Sequence, residues 1–290
     1  MKEQIIELKN VKSFNLTHIF ECGQCFRWNK NEDGSYTGVV GQNVIQIFMD
    51  EKNNVIAKSY GEDNLSVLFN KYFNMNSNYE AIKQRLSSID EYLKASVKYG
   101  QGIRILNQDL WETIISFIIS ANNNIPRIKG IIERISRCYG NKIIWNNNEY
   151  YTFPTPEQLS KAEVEDLRNL GLGFRDVRVY ETTKIINNKK LDLEKLHQEP
   201  NTNVVREQLL TLPGVGPKVA DCILLFSSLQ RLDVFPIDVW VRRVMNDLYI
   251  KNPDETKVSK KEIQSLAERK FGNLEGIAQQ YLFYWRRQQQ

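Results

Sequence analysis

The chain has 290 residues, 41% of them apolar and 26% charged, an ordinary globular balance that excludes a disordered majority and leaves room for two cores. No apolar run is long enough to span a bilayer, the opening MKEQIIELKN lacks the order of a secretory leader, and Cys22, Cys25, Cys138 and Cys222 therefore read as reduced thiols of a cytoplasmic protein with no membrane partner. The net charge of +4 is unevenly placed: residues 1–98 carry 12 basic against 12 acidic groups and residues 99–290 carry 27 against 23, so a polyanion would meet mainly the second part.

Between Tyr36 and Tyr60, VVGQNVIQIF and NVIAKSY are rich in β-branched residues and flank the polar turn DEKNN, which predicts an antiparallel hairpin. From Asn64 the period lengthens, with Leu65, Leu68, Phe69 and Tyr72 on one helical face. Residues 1–98 are thus expected to form an α+β domain with an antiparallel sheet, and residues 99–290, where almost only helical periodicity appears, a mainly α-helical domain. Asp109 is placed to cap a helix over 110–120 whose residues are apolar nearly all round, so that it belongs at the centre of a bundle. That helix delivers the polar loop Asn122-Asn-Asn-Ile-Pro-Arg127. Two glycine-interrupted helix junctions follow, LGLGFRD at 170–176 and LPGVGPK at 212–218.

The second junction carries the chemistry. Gly214 and Gly216 open the turn to backbone angles closed to other residues, and its bare N–H groups with the next helix start make a cradle for a phosphate oxygen. Pro217 suits the first helical position and puts Lys218 in the first turn. There the helix dipole and partial burial are expected to disfavour the ammonium, so that Lys218 deprotonates readily and can act as a nucleophile. Further on, Pro236 keeps Phe235 out of helical geometry and Asp238 stands where an N-cap would begin the next helix. A carboxylate held there can cap the helix and also stabilise positive charge on a sugar ring.

LPGVGPKVADC followed by VFPIDVW resembles the helix-hairpin-helix DNA glycosylases, specifically the 8-oxoguanine DNA glycosylases of the eukaryotic type. GQCFRW (23–28), SANNNIPRIKGIIERI (120–135), LGLGFRD and AQQYLF (278–283) resemble that family in the same order. The resemblance implies a TATA-binding-protein-like sheet domain, then a helix-hairpin-helix glycosylase domain. It implies a monomeric enzyme that flips an oxidised guanine out of double-stranded DNA. Lys218 would form a Schiff base at C1′ and Asp238 would assist it. The Gly23 carbonyl would accept the N7 hydrogen of 8-oxoguanine, Cys222 and Phe283 would flank the base, and Gln279 would read its Watson–Crick edge. Asn122, Arg127 and Arg175 would fill the vacated stack and contact the orphaned cytosine, with Phe174 as intercalating aromatic. Gly214, Gly216 and Trp240 would lie along the DNA backbone. The carbonyls of Leu210, Leu212 and Val215 would hold a structural cation, and catalysis would need no cofactor. Trp240 and Phe174 depart from the histidine and tyrosine usual in the family, and Cys25 from its serine.

Other readings fit fewer residues. His18, Cys22 and Cys25 suggest zinc, but no further ligand is spaced to complete a tetrahedral set. No four-cysteine run follows Asp238, so an iron–sulfur cluster is not expected. An alkylated-base glycosylase shares the architecture and the aspartate but typically lacks the lysine. A non-catalytic helix-hairpin-helix module that only grips DNA would need neither Asp238 nor the base pocket.

Overall fold

The computed structural model describes residues 1–287. Five strands, β1 (Lys2–Leu8), β2 (Trp28–Lys30), β3 (Tyr36–Val40), β4 (Asn43–Met49) and β5 (Val55–Gly61), form an antiparallel sheet in the order β1-β5-β4-β3-β2. The DEKNN turn joins β4 to β5 as expected, because the Asp50 carboxylate accepts from the N–H groups of Lys52 and Asn54 at 2.9 and 2.8 Å. VVGQNVIQIF is not one strand, however. Gly41 takes φ +56 and reverses the chain, so Tyr36 pairs with Ile47. The strand β1 lies at an edge with Ile5 67% exposed, and its burial alternation is too shallow to show as a pattern of residue types.

The helix Leu65–Tyr72 is capped by Asn64, whose side chain accepts from Val67 N–H, and it buries Leu65, Phe69 and Tyr72 beneath the sheet. Asp109 caps Leu110–Ser120 through Glu112 N–H at 2.8 Å, and the helix is buried on nearly every side, as its composition requires. One element interrupts the helical part: β6 (Lys142–Trp145) and β7 (Asn148–Tyr151) form a hairpin through Asn146 and Asn147, both at positive φ. Its Ile143 and Trp145 pack on Val39 and Val44 of the large sheet, and the Trp145 indole donates to Glu3 at 2.9 Å.

Two main cores result, and they exchange residues. Phe14, Phe20, Trp28, Phe69 and Phe73 build the first, joined by Leu106 from the connection. Leu86, Leu93 and Val97, which precede residue 98, pack in the helical core instead, together with Cys22 and Phe26 from the GQCFRW segment.

Candidate active site

A cavity of about 850 Å³ lies where the GQCFRW segment, the 110–120 helix and its loop, the lysine helix and the C-terminal helix meet. Lys218, Asp238, Gly23, Phe283, Asn122 and Trp240 all line it. These residues come from five separate stretches of sequence, and the fold brings them to one space.

Lys218 arrives by the expected route. Gly214 has φ +86, where a Cβ would meet Arg178 at 2.9 Å and Ile118 at 3.1 Å, so only glycine fits without displacement. Gly216 takes the N-cap position and Pro217 the first turn of Pro217–Phe226, which sets Lys218 at the cavity floor with Nζ 5.4 Å from the Phe117 ring centroid. Cys222 follows one turn later on the same face, close enough to act on the charge of the lysine, and does not line the cavity itself.

The charge state of Lys218 is set by more than the helix start and burial. Its pKa is raised, not lowered: the Cys222 sulfur as thiolate is the largest cause, burial opposes it, and the Asp238 carboxylate adds to it. Burial pushes the Cys222 thiol itself up to about 11, so near neutral pH Asp238 is the charge that faces the ammonium. It is the thiolate form of Cys222 that outweighs burial; with Cys222 as a thiol, burial is the largest influence left on Lys218 and acts in the direction expected from sequence, with Asp238 opposing it. Asp238 also caps Val239–Met245, with Oδ1 accepting from Val241 N–H at 2.8 Å, so one carboxylate serves both purposes.

The opposite wall is backbone. Gly23 has φ +88 and sits against Phe283 and Arg287. Its position is fixed by polar groups that sequence reasoning passed over. Gln24, fully buried, donates to the carbonyls of Ile19 and Arg104 at 2.9 and 2.8 Å and accepts from Leu106 N–H at 2.9 Å. Gln108 joins the Gln24 carbonyl to that of Phe226, the last residue of the lysine helix. Gln279, expected at the base, is not among the residues that line the cavity. It is buried one turn before Phe283, with its side-chain oxygen accepting from Gln280 at 2.8 Å.

At the mouth, Asn122 is exposed at φ +51, a left-handed position that asparagine tolerates. Arg175 explains how it is held. This arginine is only 1% exposed and donates to the carbonyls of Ala121, Asn122 and Leu172, so it braces the loop and does not present its donors to an orphaned base. A guanidinium this deeply buried needs such acceptors. Arg127 remains exposed at the mouth and reaches the Gly171 carbonyl at 3.3 Å. Phe174 stands 55% exposed beside it, with the guanidinium carbons of Arg175 and Arg178 at 4.2 and 5.2 Å from its ring centroid. Trp240 is 40% exposed at the rim.

The cysteines of the amino-terminal segment are occupied as packing groups. Cys22 donates to the Ile19 carbonyl, Cys25 to that of Phe20, and His18 Nδ1 accepts from Gly102 N–H. Among the described residues no group of histidine, cysteine or carboxylate side chains is placed to hold a metal. At the hairpin, the Gln208 and Leu209 carbonyls accept from Thr211 and Leu212 N–H, and that of Leu212 from Val215 N–H at 3.1 Å.

Known proteins resemble this chain in sequence and fold. The family profile described as 8-oxoguanine DNA glycosylase, N-terminal domain, matches residues 6–114, and that of the HhH-GPD superfamily base excision DNA repair protein matches residues 115–280. The N-glycosylase/DNA lyase of Saccharomyces cerevisiae is 34% identical over 259 residues, 81% of this chain and 68% of that protein. The 8-oxoguanine glycosylase/lyase of Clostridium acetobutylicum in its apo-form has a TM-score of 0.90 at 42% identity, covering 98% of each chain. A second structure, that enzyme in complex with dsDNA containing cytosine opposite to 8-oxoG, gives 0.91 at 41% identity over 99% of this chain and 98% of that one. The 3-methyladenine DNA-glycosylase of Archaeoglobus fulgidus, at 21% identity and a TM-score of 0.78, shares the fold. Both profiles, in the order in which the two cores were found, make this chain a member of the 8-oxoguanine DNA glycosylase family within the HhH-GPD superfamily.

Proposed function

We propose that the protein removes 8-oxoguanine, preferably from a pair with cytosine, and then cleaves the strand as an AP lyase. The observation that carries this reading is the meeting of Lys218 and Asp238 with Gly23 and Phe283 in one cavity. The neutral Lys218 amine attacks C1′ of the flipped nucleotide while the C1′–N9 bond breaks and its electron pair leaves with the base. The proton given up by the lysine balances the one taken up by the departing base. The Asp238 carboxylate stabilises the positive charge that develops on the sugar. Opening of the sugar ring gives a Schiff base, and loss of a C2′ proton expels the 3′ phosphate.

The Gly23 carbonyl, a bare acceptor on a rigid wall, suits the N7–H of 8-oxoguanine and faces a lone pair in guanine. Asn122 fills the vacated stack, Arg127 donates to the orphaned cytosine, Arg175 holds their loop, and Phe174 enters the base step. Gly214, Gly216 and Trp240 follow the backbone. The carbonyls of Leu210, Leu212 and Val215 would hold a structural cation, since the first is a helix-terminal acceptor and the second keeps a lone pair beyond its N–H partner. Such an ion would neutralise phosphate at the hairpin. No described helix is long and apolar enough to cross a membrane, and we place the enzyme with DNA inside the cell.

Sodium borohydride trapping on duplexes with 8-oxoguanine opposite each normal base tests the assignment. A covalent adduct is expected fastest opposite cytosine. Absence of an adduct with every lesion duplex, in protein that traps a preformed abasic site, would reject 8-oxoguanine as the substrate.

A further inference from the structure

One charged group on the cavity wall has no role in the mechanism above. Arg287 lies one helical turn beyond Phe283 and, because side chains on a helix lean toward its N-terminus, its guanidinium folds back over that ring at 6.0 Å from the centroid. Nη1 stands 3.9 Å from the point a Gly23 Cβ would occupy, so the cation and the Gly23 backbone share one wall. Burial pushes the Cys22 thiol up to about 12, and after the Gln24 groups the field of Arg287 is among the influences that pull it down. The neighbouring Arg286 pairs with Asp247 at 3.2 Å, whereas no carboxylate among the described residues lies within ion-pair reach of Arg287. A guanidinium that lies beside an apolar ring and lines a cavity is matched to acceptor oxygens on what enters that cavity.

We infer that Arg287 is a specificity-determining residue that donates to a carbonyl oxygen flanking N7–H of the flipped oxidised purine. The inference rests on the proposed excision of 8-oxoguanine and adds a second reader to it. The imidazole edge of that base carries a donor, N7–H, between two acceptors, O6 and O8. Gly23 supplies an acceptor and Arg287 a donor, so the wall as a pair complements the edge. The guanidinium does not suffice alone. A guanidinium by itself would also favour ordinary guanine, whose O6 and N7 are the usual arginine contact. The Gly23 carbonyl repels that N7, while Arg287 rewards the oxygen beside the new hydrogen.

The experiment compares wild type, Arg287→Ala and Arg287→Lys on two duplexes, one with 8-oxoguanine opposite cytosine and one with a preformed abasic site opposite cytosine. Single-turnover excision is read on the first and borohydride trapping on the second. Since an abasic site has no base to read, excision relative to trapping should fall at least tenfold in Arg287→Ala and recover in part in Arg287→Lys. An equal loss on both duplexes would mark a phosphate or folding contact and overturn the inference, as would unchanged excision. A wild-type protein that traps abasic DNA but leaves 8-oxoguanine in place would instead defeat the functional assignment on which the inference stands.

Discussion

The side-chain amide of Gln108 donates to the backbone carbonyl of Gln24 at 2.8 Å, and the same nitrogen donates to Phe226 at 3.0 Å. One amide thereby ties the residue after Gly23 to the end of the helix that carries Lys218 in its first turn. Leucine at position 108 keeps the volume and removes both bonds, leaving buried carbonyls short of partners. A destabilisation of about 1 to 3 kcal/mol is expected, seen as a Tm lower by roughly 2 to 10 °C, together with slower excision than trapping at an abasic site. Unchanged melting and excision would show that Gly23 and Lys218 are held by other means.

Lys218→Gln should abolish excision and borohydride trapping while lesion-duplex binding persists, because the phosphate-facing backbone of the hairpin is untouched. Asp238→Asn preserves the cap acceptor for Val241 and should slow excision about 10²- to 10³-fold. The pH profile adds a second readout. Asp238 raises the Lys218 pKa, and the amine reacts only when neutral, so removing the carboxylate should move the rising limb of single-turnover rate to lower pH. A limb that stays in place would separate Asp238 from the titration of the lysine.

Arg127 and Arg175 should behave differently on substitution. Arg127→Ala is expected to reduce the preference for cytosine over adenine opposite the lesion by roughly tenfold to a hundredfold. Arg175→Ala removes the brace of Ala121 and Asn122 and should slow excision opposite every base, with a lower Tm. Single-turnover rates on all four pairs distinguish the two outcomes. Loss of discrimination in Arg175→Ala alone would reverse the assignment.

Glu275 predicts a pH dependence of stability. It is 3% exposed at the start of the C-terminal helix, and burial, then Glu268, Asp233 and Asp221, raise its pKa to about 8 against the pull of Arg206. An unfolded glutamate releases its proton near pH 4.3, to a rough approximation. The folded chain therefore binds an extra proton across that window, and the stability it contributes is full below the unfolded value and lost as pH rises through about 8. Glu275→Gln should flatten the fall in urea midpoint between pH 5 and pH 9. Parallel curves for the two proteins would assign the dependence to other groups.

The hairpin turn, its lysine, the capping aspartate and the buried 110–120 helix were legible because each rests on local rules: a glycine at positive φ, proline at the first turn, a side chain that caps, an apolar circumference. The β6–β7 hairpin was not, since Lys142–Tyr151 is short and gains its burial only by packing on a sheet about a hundred residues earlier. Arg175 was legible as a motif residue but not as a brace, because two of the three carbonyls it serves, those of Ala121 and Asn122, belong to a loop 54 and 53 positions away. Gln24 and Gln108 look like surface residues in sequence, and only the fold shows that they are buried. The upward push on the Lys218 pKa comes first from Cys222, one turn along its own helix, and then from Asp238, whose approach from a separate helix only the fold shows.

The exchange of side chains between the two cores bears on how such a protein can be divided. The seam between the two matched profiles, after residue 114, falls inside the helix Leu110–Ser120, and a cut there would sever the element that carries Asn122. Expressing the sheet alone would strand Leu106 and leave Val39 and Val44 without Ile143 and Trp145 above them. The amino-terminal unit is therefore not an interchangeable cassette, and a graft that transplants it onto another glycosylase would have to bring along the distant β6–β7 flap to stay soluble.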